Sequence, residues 1–131
     1  LEQAGSAQTI AVVGYRAADV QTTLANRNNL IFVEQREQLG TGHAVQVCAA
    51  ELQRYPNAAV LVVAGDSPML RADSVKKVFA EFQASGAACL LGTAHRDNPF
   101  GLGRIVRDAA GNFAGIVEEK DASPEQKLIT E

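Results

Sequence analysis

Val60-Leu61-Val62-Val63-Ala64-Gly65-Asp66-Ser67-Pro68-Met69-Leu70 is the stretch on which the reading of this chain turns. Its first five residues are all apolar and mostly β-branched, so no polar face is left to turn toward water. That pattern predicts a strand covered on both sides, as in a parallel sheet. The run then breaks into Gly65-Asp66 and a proline-stiffened loop. In open α/β sheets the carboxyl ends of the strands border the ligand crevice, so Asp66 is expected to present its carboxylate there.

Outward from this run, strand and helix signals alternate in the manner of βαβ units. Thr9 to Val13 predicts a strand ending at Gly14, Ala17 to Asn26 a helix, and Leu30 to Val33 a second strand closed by the polar run Glu34 to Gln38. Ala44, Val47, Cys48 and Leu52 recur at helical spacing, predicting a helix from about Gly42 to Arg54 that Pro56 and Asn57 stop. After Asp66, a second helix is expected to turn Val75, Val78, Phe79 and Phe82 inward and to end at Gly86. Ala87 to Ala94 reads as another strand. A polar loop from His95 to Gly103 leads to Arg104 to Asp108, which pairs back through the Gly111-Asn112 turn onto Phe113 to Glu118. The expected fold is α/β, one domain over residues 1–131, with a mixed, mostly parallel sheet, helices on both faces and an antiparallel hairpin.

Composition narrows the function classes. The 131 residues are 47% hydrophobic, enough for one core. Twelve Lys and Arg against fifteen Asp and Glu, with no run of like charge, argue against nucleic acid or an anionic membrane as partner. Cys48 and Cys89 lie far apart in apolar surroundings and are expected to be buried, reduced thiols, which suits the cytoplasm. No leader and no apolar stretch of about eighteen residues is written here. Both ends read as cut rather than natural.

Three loops could carry chemistry. Gln35-Arg36-Glu37-Gln38-Leu39-Gly40-Thr41-Gly42-His43-Ala44 joins a strand to a helix start, where free backbone N–H groups and two glycines let a flat or anionic ligand approach. The amides of Gln35 and Gln38 offer the paired donor and acceptor that a nucleobase edge demands. The competing reading makes Thr41 a helix cap and the glycines a tight turn. Asp66 could bind Mg²⁺ together with phosphate oxygens, or could merely cap the Pro68 loop. Asn98-Pro99-Phe100-Gly101-Leu102-Gly103-Arg104 places bare backbone ahead of a strand. Glu118, Glu119, Lys120 and Asp121 close the hairpin either as a solvated edge or with one carboxylate turned to sugar hydroxyls. His43 and His95 stand at no ligand or triad spacing.

Four motifs together carry more than any of them alone: Gln38-Leu39-Gly40-Thr41-Gly42-His43-Ala44, Gly65-Asp66 with Pro68, Gly101-Leu102-Gly103-Arg104-Ile105, and Gly115-Ile116-Val117-Glu118-Glu119-Lys120-Asp121-Ala122. In this order and spacing they resemble the uridyltransferase domain of the bacterial N-acetylglucosamine-1-phosphate uridyltransferases, most strongly from Glu34 to Ala122. The resemblance implies a Rossmann-like three-layer nucleotidyltransferase fold. It implies that Gln35, Gly40 and Thr41 read uracil, beside the Gln38 amide already noted, that Ala64 and Gly65 lie under the ribose and phosphates, and that Asp66 is the catalytic Mg²⁺ ligand. Gly103 and Glu118 would hold the hexosamine hydroxyls. The implied substrates are UTP and a hexosamine 1-phosphate, giving UDP-N-acetylglucosamine, a cell-wall peptidoglycan precursor, and pyrophosphate.

The departures bear on the same reading. The family's glycine-rich Leu-x-x-Gly-x-Gly-Thr-Arg-Met loop and its following lysine have no counterpart in this sequence, nor do the asparagine and second metal ligand beyond the hairpin. Ala64 stands where an aromatic is common, and Ser67-Pro68-Met69 replaces Val-Pro-Leu. The expectation is an internal fragment that binds substrate weakly and turns over little, with an oligomer left to the full-length protein. A transferase for another base or sugar, or a non-catalytic nucleotide-sugar-binding module, are the alternatives.

Overall fold

A computed structural model describes all 131 residues, Leu1–Glu131. They gather into two compact units, Leu1–Ser85 and Gly86–Glu131. The architecture is mixed α/β, with a parallel pair of strands in the first unit and an antiparallel hairpin in the second.

In the first unit β1 (Thr9–Val13) runs parallel to β2 (Leu30–Glu34), with Thr9 opposite Leu30 and Val13 opposite Glu34. Helix α1 (Ala17–Leu24) makes the crossover, since parallel neighbours cannot be joined by a tight turn. The strand residues are short apolar runs in which Val13 is buried and the others mostly half-buried. Both strands and their bounds agree with the sequence to within a residue. Helix α4 (Ala72–Ser85) buries Val75 and half-buries Phe79 and Phe82, as the spacing predicts, whereas Val78 stays 38% exposed. Gly86 takes a left-handed φ of 63° just past its end.

Three expectations are corrected. The single helix from Gly42 to Arg54 is two short ones, α2 (Thr41–Gln46) and α3 (Ala49–Leu52). At the junction the Cys48 amide bonds back three residues to the Val45 carbonyl at 3.1 Å, and the Cys48 thiol reaches the Ala44 carbonyl at 3.4 Å, tightening the turn. The apolar stripe survives the break: Ala44, Val47 and Leu52 are half-buried and Cys48 is buried. Second, Val60 to Ala64 forms no ladder, and Val60 and Val62 are 54% and 64% exposed. Third, Ala87 to Ala94 forms none either, which leaves Cys89 exposed rather than buried. An apolar run records what a segment gains by burial, but a strand also needs a partner edge, and neither segment meets one.

The second unit is the hairpin β3 (Arg104–Arg107) and β4 (Phe113–Val117), with Arg104 opposite Val117 and a register shift at Val106/Arg107. Asp108 organises the turn: its carboxylate accepts from the backbone N–H groups of Ala110 and Asn112 at 2.9 and 2.8 Å. These bonds, Asn112 foremost, hold the Asp108 carboxyl below the usual carboxylate range. A short 3₁₀ turn, Gln126–Leu128, contacts β3. No helix is long and apolar enough to cross a membrane.

Candidate active site

The loop after β2 folds back across the end of β1. At the β1 exit, a Cβ on Gly14 would lie 3.1 Å from the Gln38 side-chain amide and 3.2 Å from the Gln35 carbonyl, so glycine is what lets the loop come this close. Gln35, half-buried, donates through Nε2 to the Gly40 carbonyl at 3.0 Å and meets His43 Nδ1 at 3.0 Å. With both amide hydrogens engaged, Nδ1 is the acceptor in that contact, and the Oε1 lone pairs of Gln35 are left for another donor. Gly40 precedes α2 with φ of 99°, a backbone state that disfavours any side chain. It is Gly40, not Thr41, that stands at the cap position, and no side chain caps α2. The reading of Thr41 as a simple helix cap therefore fails.

Thus Gln35, Gln38 and Gly40 come together, joined by Gly14 and His43, which sequence analysis did not place in the base loop. His43 stands at no ligand spacing, although its place eight residues from Gln35, on a helix that begins just after Gly40, was the available hint.

Asp66 lies in the Gly65-Asp66 turn after the unpaired apolar run, exposed and with no hydrogen bond or ion pair inside the chain. Its carboxylate oxygens are therefore open to an outside ligand. No group of three His, Cys, Asp or Glu side chains gathers anywhere. Asp66 therefore offers a single free carboxylate, one of the one or two that Mg²⁺ takes where phosphate oxygens and water supply the rest. Ala64 is exposed, and nothing lies within 4 Å of where a Gly65 side chain would begin.

In the second unit the hairpin register, carried one step past the ladder, sets Gly103 across from Glu118. A Cβ on Gly103 would lie 3.1 Å from Ile116 Cγ2 and 3.7 Å from Glu118 Oε2. The residue that sequence reasoning missed is their neighbour Arg104. Its side chain is 2% exposed, and Nη2 donates to Glu119 Oε2 at 2.6 Å while Nη1 donates to the Leu102 carbonyl. Glu119 Oε2 also accepts from the Gly101 N–H at 3.3 Å, and Lys127 Nζ stands 4.0 Å from Oε1. The Arg104 hydrogen bond, with help from Gly101 and Lys127, holds the Glu119 carboxyl below its ordinary range. A basic residue opening a strand opposite an acidic hairpin end was the signal available.

A hollow of about 490 Å³, lined by Glu2, Ser6 and Asn26 to Asn29, sits beside the amino ends of β1 and β2 rather than their carboxyl ends. Its only charged groups, Arg27 and Glu2, face one another at 3.6 Å.

A parallel β1–α1–β2 unit with a glycine-bearing loop at its exit marks the start of an α/β domain. Residues 1–127 match the MobA-like NTP transferase domain family, and the chain belongs to it: it is a nucleotidyltransferase domain. Among its relatives, the bifunctional protein GlmU of Trichlorobacter lovleyi is 45% identical over 129 residues, 98% of this chain and 28% of that protein. GlmU of Geotalea daltonii is 38% identical over all 131 residues, again 28% of its length. GlmU of Lactobacillus delbrueckii subsp. bulgaricus is 43% identical over 122 residues, 93% of this chain and 26% of its own. The chain thus spans little more than a quarter of the length of these relatives.

Proposed function

We propose that this chain is the base- and sugar-reading part of a Mg²⁺-dependent uridyltransferase that joins UTP and N-acetylglucosamine 1-phosphate into UDP-N-acetylglucosamine and pyrophosphate. The observation that carries the reading is the amide of Gln35. Its NH₂ is spent on Gly40 and His43, so Oε1 is the group left to accept a hydrogen bond, and the N3–H of uracil is a donor where N3 of cytosine is an acceptor. Gln38, Gly40 and Thr41 complete the base loop, and Ala64 and Gly65 offer bare backbone to ribose and phosphates. The family match runs through both compact units, which supports treating residues 1–127 as parts of one domain. Two free cysteines suit the reducing cytoplasm.

In the reaction a phosphate oxygen of the sugar phosphate forms a bond to the α-phosphorus of UTP in line. The bond from that phosphorus to the β-phosphate oxygen breaks, and pyrophosphate leaves with the electron pair. No covalent intermediate with the protein is needed, so the work of these residues is positioning: Gln35 and its loop fix the base, Gly103 and Glu118 the sugar. Asp66 would hold Mg²⁺, which supplies charge neutralisation between the two anions when bound. The sequence has no glycine-rich phosphate loop, and one lost key donor costs about 3 kcal/mol of transition-state stabilisation, so slow turnover by this chain alone is expected.

Isothermal titration in Mg²⁺ tests the base assignment. UTP is expected to bind about ten-fold or more tighter than CTP, because an acceptor facing an acceptor leaves two polar groups unpaired. Equal affinity for UTP, CTP and GTP would discard it. For Asp66→Ala, UTP binding is expected to lose its dependence on Mg²⁺ while the melting temperature stays put, since the side chain has no internal partner. A retained Mg²⁺ dependence removes Asp66 from its role.

A further inference from the structure

The two sugar-side residues each have a chain neighbour that the proposed reaction does not use. Gly103 is followed by Arg104, and Glu118 by Glu119, and these neighbours join in a 2.6 Å ion pair, with Arg104 almost wholly removed from solvent. The pair does more than close the hairpin. Through Arg104 Nη1 it binds the Leu102 carbonyl, and through Glu119 Oε2 it binds the Gly101 N–H, so the segment ahead of Gly103 is tied at two points to one charged pair. Gly101 has φ of 79°, a conformation glycine adopts freely, so in a segment with no ladder of its own these two hydrogen bonds are what narrow its backbone freedom.

The choice of arginine fits this duty. A guanidinium reaches two acceptors in fixed directions, which an ammonium does not. The arrangement even leaves Arg104 Nε buried without an acceptor, a cost that hairpin closure alone does not require.

We propose that Arg104 and Glu119 are positioning residues: their ion pair fixes the Gly101–Gly103 backbone against Glu118 and so sets the affinity for the sugar phosphate without touching it. This rests on the reading of Gly103 and Glu118 given above. The pair acts on one substrate only, because the base loop belongs to other residues altogether.

The test uses the whole chain and two readouts. In Glu119→Gln, amide exchange at Gly101 and Leu102 is expected to accelerate while Ile105 and Ile116 in the ladder keep their protection, and Glu118→Gln is expected to leave Gly101 as it was. Titration of N-acetylglucosamine 1-phosphate in the presence of UTP and Mg²⁺ is expected to weaken about ten-fold in Glu119→Gln, with UTP affinity unchanged within about two-fold, since a displaced binding backbone costs the ligand it positions. Arg104→Lys, which keeps the charge but not the fork, is expected to weaken sugar-phosphate binding by less than Glu119→Gln does. Unaltered Gly101 exchange in Glu119→Gln overturns the proposal, as does faster exchange with no change in sugar-phosphate affinity, or equal weakening of both ligands. Faster Gly101 exchange in a chain whose unaltered form binds no sugar phosphate keeps the clamp and discards the substrate reading instead.

Discussion

The loop after β2 and the loop before β3 both bring bare backbone to a candidate substrate, yet different forces hold them. The first is held by neutral contacts, Gln35 to Gly40 and His43, on a half-buried side chain that borders a six-residue helix. The second is held by a charged pair whose guanidinium is buried. Neutral amide bonds near the surface exchange readily with water and contribute about 1 kcal/mol each, so the base loop can adapt to what it binds. A buried charge tolerates no loss of its partner, so the sugar-side loop is set before any ligand arrives. The contrast separates an adjustable reader from a fixed one.

Arg104→Ala should break the comparison most severely. It empties a buried site of its largest side chain, and an effect of about 2–4 kcal/mol is expected for truncation of a fully buried long side chain. Urea unfolding followed by probes in the hairpin unit measures it. A loss below about 0.5 kcal/mol, the size of an ordinary surface change, would mean the second loop is no more fixed than the first. Gln35→Ala should cost less, about 1–2 kcal/mol for two neutral hydrogen bonds, and the loss should appear as faster amide exchange at α2. Protection at α2 that survives the change would show that the base loop is held by something other than Gln35.

A third comparison lies inside the hairpin unit. Glu131 accepts from Arg107 Nη2 and Nε at 2.6 and 2.8 Å and from Thr93 Oγ1 at 2.8 Å. Its carboxyl is pulled from 4.5 to about 2, by Arg107 first and Thr93 second. A carboxyl whose pKa is lower folded than unfolded binds its proton more readily in the unfolded chain. Its stabilisation is therefore complete above the ordinary carboxylate range and is lost as pH falls through about 4.5 toward about 2. Melting temperature measured across that window should fall, and Glu131→Gln should flatten part of the slope, with Asp108 and Glu119, also shifted down, supplying the remainder. An unchanged slope in Glu131→Gln would show that the Arg107 pair is too exposed to matter.

What the sequence disclosed follows from how far each interaction reaches along the chain. β1, β2, β3 and β4 were legible because each finds its partner in the next strand, through one helix or one turn, and the hairpin turn is written in Gly111-Asn112. Val60 to Ala64 misled because its apolar character was read as burial, whereas pairing depends on an edge that local composition does not specify. The base loop was legible as glycines and amides, but not the partner each amide chooses: that depends on α2 starting at Thr41 and bringing His43 back to Gln35. Arg104 was hidden for the opposite reason. A charged residue is ordinarily exposed, and only the register that brings Glu119 within 2.6 Å makes its burial affordable.

The finest separation of the two loops comes from a methyl group. In Gly103→Ala the new Cβ would meet Ile116 Cγ2 at 3.1 Å, tighter than ordinary contact, but Ile116 is 50% exposed and free to swing into water. Stability should therefore change by less than about 1 kcal/mol, near the lower end of overpacking costs. The same methyl would stand 3.7 Å from Glu118 Oε2, between the backbone and the carboxylate proposed to hold sugar hydroxyls. Binding of the sugar phosphate should fall while folding barely responds, and UTP binding should not respond at all. If calorimetry instead finds sugar-phosphate affinity intact, the space between Gly103 and Glu118 is not where the sugar sits, and the fixed loop would be fixed for the hairpin's sake alone.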